Sequence, residues 1–80
     1  MKRPSKIARG NILFKKMELE IIKLICRQYS NIEMAEKLGI SKRSVEAHRV
    51  QVLEKIKAKN SVGIVIFAVK HGLFKIAVKD

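Results

Sequence analysis

An all-α fold of four helices, built round a helix-turn-helix, is predicted for this chain of 80 residues by three observations. Four segments carry apolar residues at helical rather than alternating spacing. Serine or asparagine stands at the head of three of them and glycine at the end of two, as helix caps require. Between the second and third segments, the window Asn31 to Val50 places Ala35, Gly39 and Val45 where two steeply crossed helices need small or apolar side chains. Ala35 lets the helices approach, Gly39 takes the left-handed turn that ends the first of them, and Val45 fills the angle.

The elements follow in order. From Met1 to Lys16 there are six basic residues and no acidic one, with Pro4 and Gly10 as breakers. Residues 1–15 therefore read as a flexible basic tail or linker end whose charge adds phosphate contacts. The domain proper is expected over 16–76, with 77–80 as a C-terminal tail. Its first helix runs from about Lys16 to Gln28, with Ile21, Ile22 and Ile25 on one face, Phe14 and Glu18 upstream on the same face, and Leu24 widening the stripe. Glu18 and Glu20 near its start and Arg27 near its end suit the helix dipole. The second helix opens with Ser30-Asn31-Ile32-Glu33, the spacing of a capping box, and buries Met34, Ala35 and Leu38 before Gly39 stops it.

Ser41 announces the third helix, which continues to about Ala58. Val45, Val52, Leu53 and Ile56, with His48 or Arg49 in part, are its buried positions. The opposite face holds Lys42, Arg43, Glu46, Ala47 and Val50, and a basic face on the first turns of a second crossed helix suits entry into the DNA major groove. The bland alternative is a solvated charged face. The fourth segment, Asn60 to His71, contains the β-branched run Ile64 to Val69, which propensity alone allows as a buried strand. Asn60 or Ser61 as N-cap, Gly72 as stop and Lys70 and His71 in the last turn favour a helix, as does the lack of a strand elsewhere to pair with it. Being apolar on nearly all sides, this helix reads as half core and half dimer interface, with Ile64, Phe67, Ala68 and His71 as the dimer face; a wholly buried core helix is the alternative.

Composition narrows the function. Eighty residues make one small domain without room for a deep catalytic cleft. The formal charge of +11 suits DNA, RNA or an anionic membrane. A single cysteine, Cys26, excludes an intrachain disulfide framework and suits a reducing cytoplasm, and its apolar helix makes it a buried small hydrophobe. The N-terminus lacks the apolar run of a signal peptide, and Val62 to Val69 is too short to span a bilayer. His48 and His71 lie far apart with no cysteine or carboxylate at ligand spacing, so no metal is expected. Without a Ser–His–Asp set, a glycine-rich phosphate loop or paired carboxylates, no enzyme and no cofactor is expected.

From Phe14 to Leu73 the chain resembles the LuxR-type helix-turn-helix, the DNA-binding domain of NarL/FixJ response regulators and of free-standing GerE-like regulators. Glu18, Ile21-Ile22, Leu24, Ser30-Asn31, Glu33-Met34-Ala35, Leu38, Ile40-Ser41, Ser44 to Arg49, Leu53, Lys55-Ile56 and Asn60 carry the resemblance. It implies a four-helix fold with the third helix as reader and the fourth as dimer contact. Three departures stand out: Lys15-Lys16 replace a Thr N-cap and Pro, Gln28-Tyr29 replace a glycine after the first helix, and Glu46 stands where many relatives carry Lys.

The resemblance implies base contacts by Glu46, Ala47 and Val50, bordered by Arg43 and Arg49. Ala47 and Val50 can only meet thymine methyls or allow close approach. Glu46 can accept from cytosine N4 or pair with Arg43 or Arg49. Phosphate contacts are expected from Lys42, Ser44, Ser41, Lys55 and Lys57, and from Ser30 and Asn31 at the start of the second helix. The expected activity is sequence-specific binding of double-stranded DNA by a homodimer that regulates transcription. The alternatives are a protein-interaction module of the same fold with non-specific nucleic-acid affinity, and an RNA or membrane-surface binder using charge alone. In a longer protein, an N-terminal receiver or ligand-binding domain would gate dimerisation.

Overall fold

In the computed structural model, residues 6–9 and 12–76 are described. Within them the order is β1 (Lys6–Arg9), β2 (Ile12–Lys15), α1 (Lys16–Cys26), α2 (Asn31–Leu38), α3 (Lys42–Ile56) and α4 (Ser61–Lys70). The four helices are those expected, each within two residues of the expected bounds. The segment Ile64 to Val69 is helical: Asn60 Oδ1 accepts from the Val62 N–H at 3.0 Å, and the cap outweighs the β-branched propensity.

The flexible-tail reading of residues 1–15 is corrected for much of its length. Lys6–Arg9 and Ile12–Lys15 pair antiparallel, with Ile7 opposite Phe14 and Arg9 opposite Ile12. In β2 the side chains alternate: Phe14 is wholly buried between the helices, while Leu13 and Lys15 face outward. Basic composition masked a strand that needs only one large inward anchor. The expected C-terminal tail, 77–80, lies outside the described residues.

All four helices of the described chain end in the same way. Gln28, Gly39, Lys57 and Gly72 each take positive φ, between 57° and 74°. The N–H of the residue after each returns to a carbonyl in the last turn: Tyr29 to Leu24, Ile40 to Ala35, Ala58 to Leu53 and Leu73 to Ala68, at 2.8–3.1 Å. These are Schellman closures, which satisfy carbonyls that a helix end leaves free. Gly39 and Gly72 make the turn without cost, whereas Gln28 and Lys57 hold a conformation costing a side-chain-bearing residue about 1–2 kcal/mol. Gln28, one of the two residues that replace a glycine after α1, thus takes the left-handed turn itself.

The core joins α3 to every other helix, and α1 to α3 and α4. Ile21, Ile22, Met34, Val45, Val52 and Ile64 are all buried to 1% exposure or less. One carboxylate lies among them. Glu18 is wholly buried, accepts from the Lys15 N–H at 2.8 Å and binds Lys55 Nζ at 2.6 Å. Lys15 has no acceptor to return, so only half a capping box forms at the start of α1. Burial pushes the Glu18 carboxyl up, but the Lys55 and Lys15 hydrogen bonds and charges outweigh it and hold it below its ordinary value of 4.5.

Candidate nucleic-acid interface

The helix-turn-helix rests on two capped starts and one turn. Ser30 Oγ accepts from the Glu33 N–H at 3.2 Å while Glu33 accepts from the Ser30 N–H at 2.8 Å, completing the capping box of α2. These bonds hold the exposed Glu33 carboxyl below its ordinary range. Gly39 then turns the chain, and Ser41 Oγ accepts from the Ser44 N–H at 3.0 Å to start α3. Val45, wholly buried, sits where α3 crosses α2.

This packing leaves one face of α3 outside. Lys42, Arg43, Glu46, Ala47 and Val50 are all exposed, Val50 to 52% of its surface. Successive residues are turned by 100° in an α-helix, so Arg43, Glu46, Ala47 and Val50 form a single stripe over about two turns. Lys42 and Arg43 give this face a basic edge beside the apolar Ala47 and Val50. Glu46 pairs with Lys42 at 3.8 Å, not with Arg43 or Arg49 as the sequence suggested, because the i,i+4 spacing on an exposed helix favours the near lysine. Both side chains of that pair are at least half exposed, so it holds Glu46 weakly. Ser30 and Ser41 are exposed and Asn31 and Ser44 half-buried, grouped at the N-terminal ends of α2 and α3.

Six expected site residues do other work. Arg49 lies a third of a turn round α3 from the exposed stripe, is half-buried, and donates to Ser61 Oγ on α4, which removes it from the base-reading set. Lys55 donates to Glu18 and to the Leu13 carbonyl at 3.0 Å, so its charge is committed to the fold rather than free for phosphate. Ile64 and Ala68 are wholly buried in the domain's own core and cannot form a dimer face. Phe67 packs edge-on against Phe14 at 5.7 Å and stacks with His71 at 4.2 Å, so both border the core. The face of α4 that is left outside carries Val62, Ile66 and Val69, exposed by 65%, 61% and 41%. The set at i, i+3, i+4 and i+7 from Ile64 thus lies on the side of α4 turned toward the core. Lys57 is exposed but ends α3, about 22 Å of helix from Lys42.

His48 is half-buried, with Nδ1 covered and unbonded among the described residues, which fits a packing role. Cys26 is only half-buried, not buried as expected, and burial still pushes its thiol above its ordinary 9.0. No cluster of three or more metal-ligating side chains occurs among the described residues, and no helix there is long and apolar enough to cross a membrane.

Two capped helices crossing at a glycine turn, with a basic stripe on the second, define a helix-turn-helix nucleic-acid-binding domain. The family model of bacterial regulatory proteins of the luxR family matches residues 13–68, and the chain belongs to that family. It is a DNA-binding domain of a transcription regulator, not an enzyme. It is similar to the oxygen regulatory protein NreC of Staphylococcus carnosus, 41% identical over 61 residues, and to NreC of Staphylococcus aureus strain JH9, 40% identical over 63. Those matches cover 76% and 79% of this chain but only 28% and 29% of the relatives, so the chain spans under a third of their length. In fold it matches the solved structure of the transcription factor GerE, with TM-score 0.70 and 23% identity over 75% of this chain and 90% of GerE. A structure of the Vibrio cholerae VqmA dimer without target DNA matches with TM-score 0.66 and 19% identity, over 91% of this chain and 35% of that one.

Proposed function

We propose that this domain binds duplex DNA sequence-specifically as a symmetric dimer, inserting the first half of α3 into the major groove. The observation that carries the reading is the exposed stripe Arg43, Glu46, Ala47 and Val50 on a helix whose opposite side is buried against α1 and α2. Glu46 accepts from cytosine N4, Ala47 and Val50 meet thymine methyls, and Arg43 reaches a guanine edge or the neighbouring phosphate. Lys42, Ser41, Ser44, Ser30 and Asn31 hold phosphates and fix the register, with Lys57 as an outlying contact. Val62, Ile66 and Val69 form the surface that two copies share, an exposed apolar stripe that a soluble monomer seldom leaves open.

In a longer protein, as relatives of more than three times the matched length allow, an N-terminal receiver or ligand-binding domain would govern dimerisation of a cytoplasmic regulator. Selection from a random pool of duplex DNA, read at several salt concentrations, tests the core of the reading. A two-fold symmetric motif is the expected product, and Glu46→Ala should shift the preferred base at one position in each half-site. Recovery of a sequence-blind pool would sink the reading, and an unchanged motif with Glu46→Ala would remove Glu46 from the reader set. Ile66→Lys should weaken binding to paired half-sites while leaving a single half-site bound as before.

A further inference from the structure

Arg49, like Lys55, is a basic residue of α3 that the reader stripe does not use. Its guanidinium reaches across to Ser61 Oγ in the first turn of α4, beside an open groove of about 390 Å³ lined by Ile25, Tyr29 and Met34 among others. A second close contact packs the first turn of α4 against the link that follows α3. A Cβ on Gly63 would come within 2.6 Å of Ala58 Cβ, so the start of α4 lies hard against the residues that close α3. Ala58 belongs to the short link from Lys57 to Asn60, turned by the left-handed Lys57, that joins the two helices. Two attachments, one polar and one steric, therefore fix the direction in which α4 leaves α3.

We infer that Arg49 is a positioning residue: by holding Ser61 it sets the angle between the reading helix and the dimer helix, and with it the half-site spacing that the dimer accepts. The inference rests on the proposed pairing of two copies through Val62, Ile66 and Val69. The leverage is short and steep. Helix α4 is ten residues, about 15 Å. A tilt of about 10° at Ser61 moves its far end by roughly 2.6 Å, close to the ~3.4 Å rise of one base pair. A shift of one base pair also turns the second half-site by about 35° round the duplex. A rigid α3–α4 joint thus admits one spacing, and a loosened joint admits its neighbours.

The test measures binding of the 80-residue chain to a series of duplexes carrying two copies of its selected half-site, with the spacing varied one base pair at a time. The wild type should prefer one spacing over its neighbours by about tenfold, the weight of one charge-assisted hydrogen bond. Ser61→Ala and Arg49→Ala should each flatten that preference to about threefold or less, the double variant should do no more than either single one, and Ser61→Thr, which keeps the hydroxyl, should restore the optimum. Affinity for one isolated half-site should stay unchanged in all of them. The inference is overturned if Ser61→Ala keeps the wild-type spacing profile, or if Arg49→Ala weakens the isolated half-site while Ser61→Ala does not, which would make Arg49 a DNA contact. A wild type with no preferred spacing would instead refute the pairing through α4 itself.

Discussion

The two halves of α3 each carry a lysine, and the two lysines have opposite roles. Each half also buries a valine, Val45 in the first half and Val52 in the second. In the first half, Lys42 and Arg43 are exposed, and among the described residues Lys42 pairs only with the exposed Glu46, at 3.8 Å. In the second half, Lys55 lies 2.6 Å from a carboxylate with no exposed surface and 3.0 Å from the Leu13 carbonyl, with the Phe14 ring 5.9 Å away. The difference lies in what each charge faces. A lysine over solvent keeps its charge for a partner, and a lysine over a buried acid gives it to the fold. The number of basic residues alone therefore overstates the charge available to DNA.

The largest effect that would break this contrast belongs to the anchoring half. Lys55→Ala leaves Glu18 buried and unpaired, and should cost about 3–5 kcal/mol, read as a fall in Tm or in the urea midpoint. If Lys55 were free for DNA, the variant would instead keep its stability and lose affinity. The reading half should behave in the opposite way. Arg43→Ala or Lys42→Ala should leave stability within about 0.5 kcal/mol of the wild type. In a salt titration each should lower DNA affinity and reduce the slope of log K against log salt by about 0.9 for each phosphate no longer neutralised.

Acid should act on both, on the anchoring half through Glu18 and on the cap of α2 through Glu33. The Glu18 and Glu33 carboxyls both titrate lower in the folded chain than in the unfolded one. Between the two values the unfolded state binds more protons, so the stability they supply is whole above the unfolded value near 4.5 and declines as pH falls through the folded values. Urea unfolding from pH 7 down to pH 3 should show this decline, steeper in wild type than in a Glu33→Gln variant. The smallest effect sharpens the boundaries of the helices. Gln28→Gly and Lys57→Gly should each stabilise by about 0.5–1 kcal/mol, since relief of the left-handed strain exceeds the added freedom of the unfolded glycine. A loss of stability in the thermal scan would show that these side chains contribute more than their backbones cost.

Much of the reading half is legible in the chain, because its determinants are local. Ser30 with Glu33, Ser41 with Ser44 and the turn at Gly39 each act within three or four residues, and the helical period alone puts Arg43, Glu46, Ala47 and Val50 on one stripe. The strand at Phe14 was hidden by its charged neighbours, and the left-handed Lys57 had no glycine to mark it. Glu18 offered a signal, an acid at the head of an apolar stripe, that calls for a cation without saying which one.

By its caps, its period and its glycine turn, the chain determined four helices and a helix-turn-helix, since hydrogen bonds between near neighbours and burial of a stripe suffice for both. Tertiary structure decided what lies across a gap. It chose Lys55 rather than another lysine for Glu18, sent Arg49 to Ser61, and turned Ile64 and Ala68 inward so that Val62, Ile66 and Val69 face out. Those choices depend on where a helix stands against its neighbours, and the period of a helix specifies its spacing but not its phase against the rest of the fold.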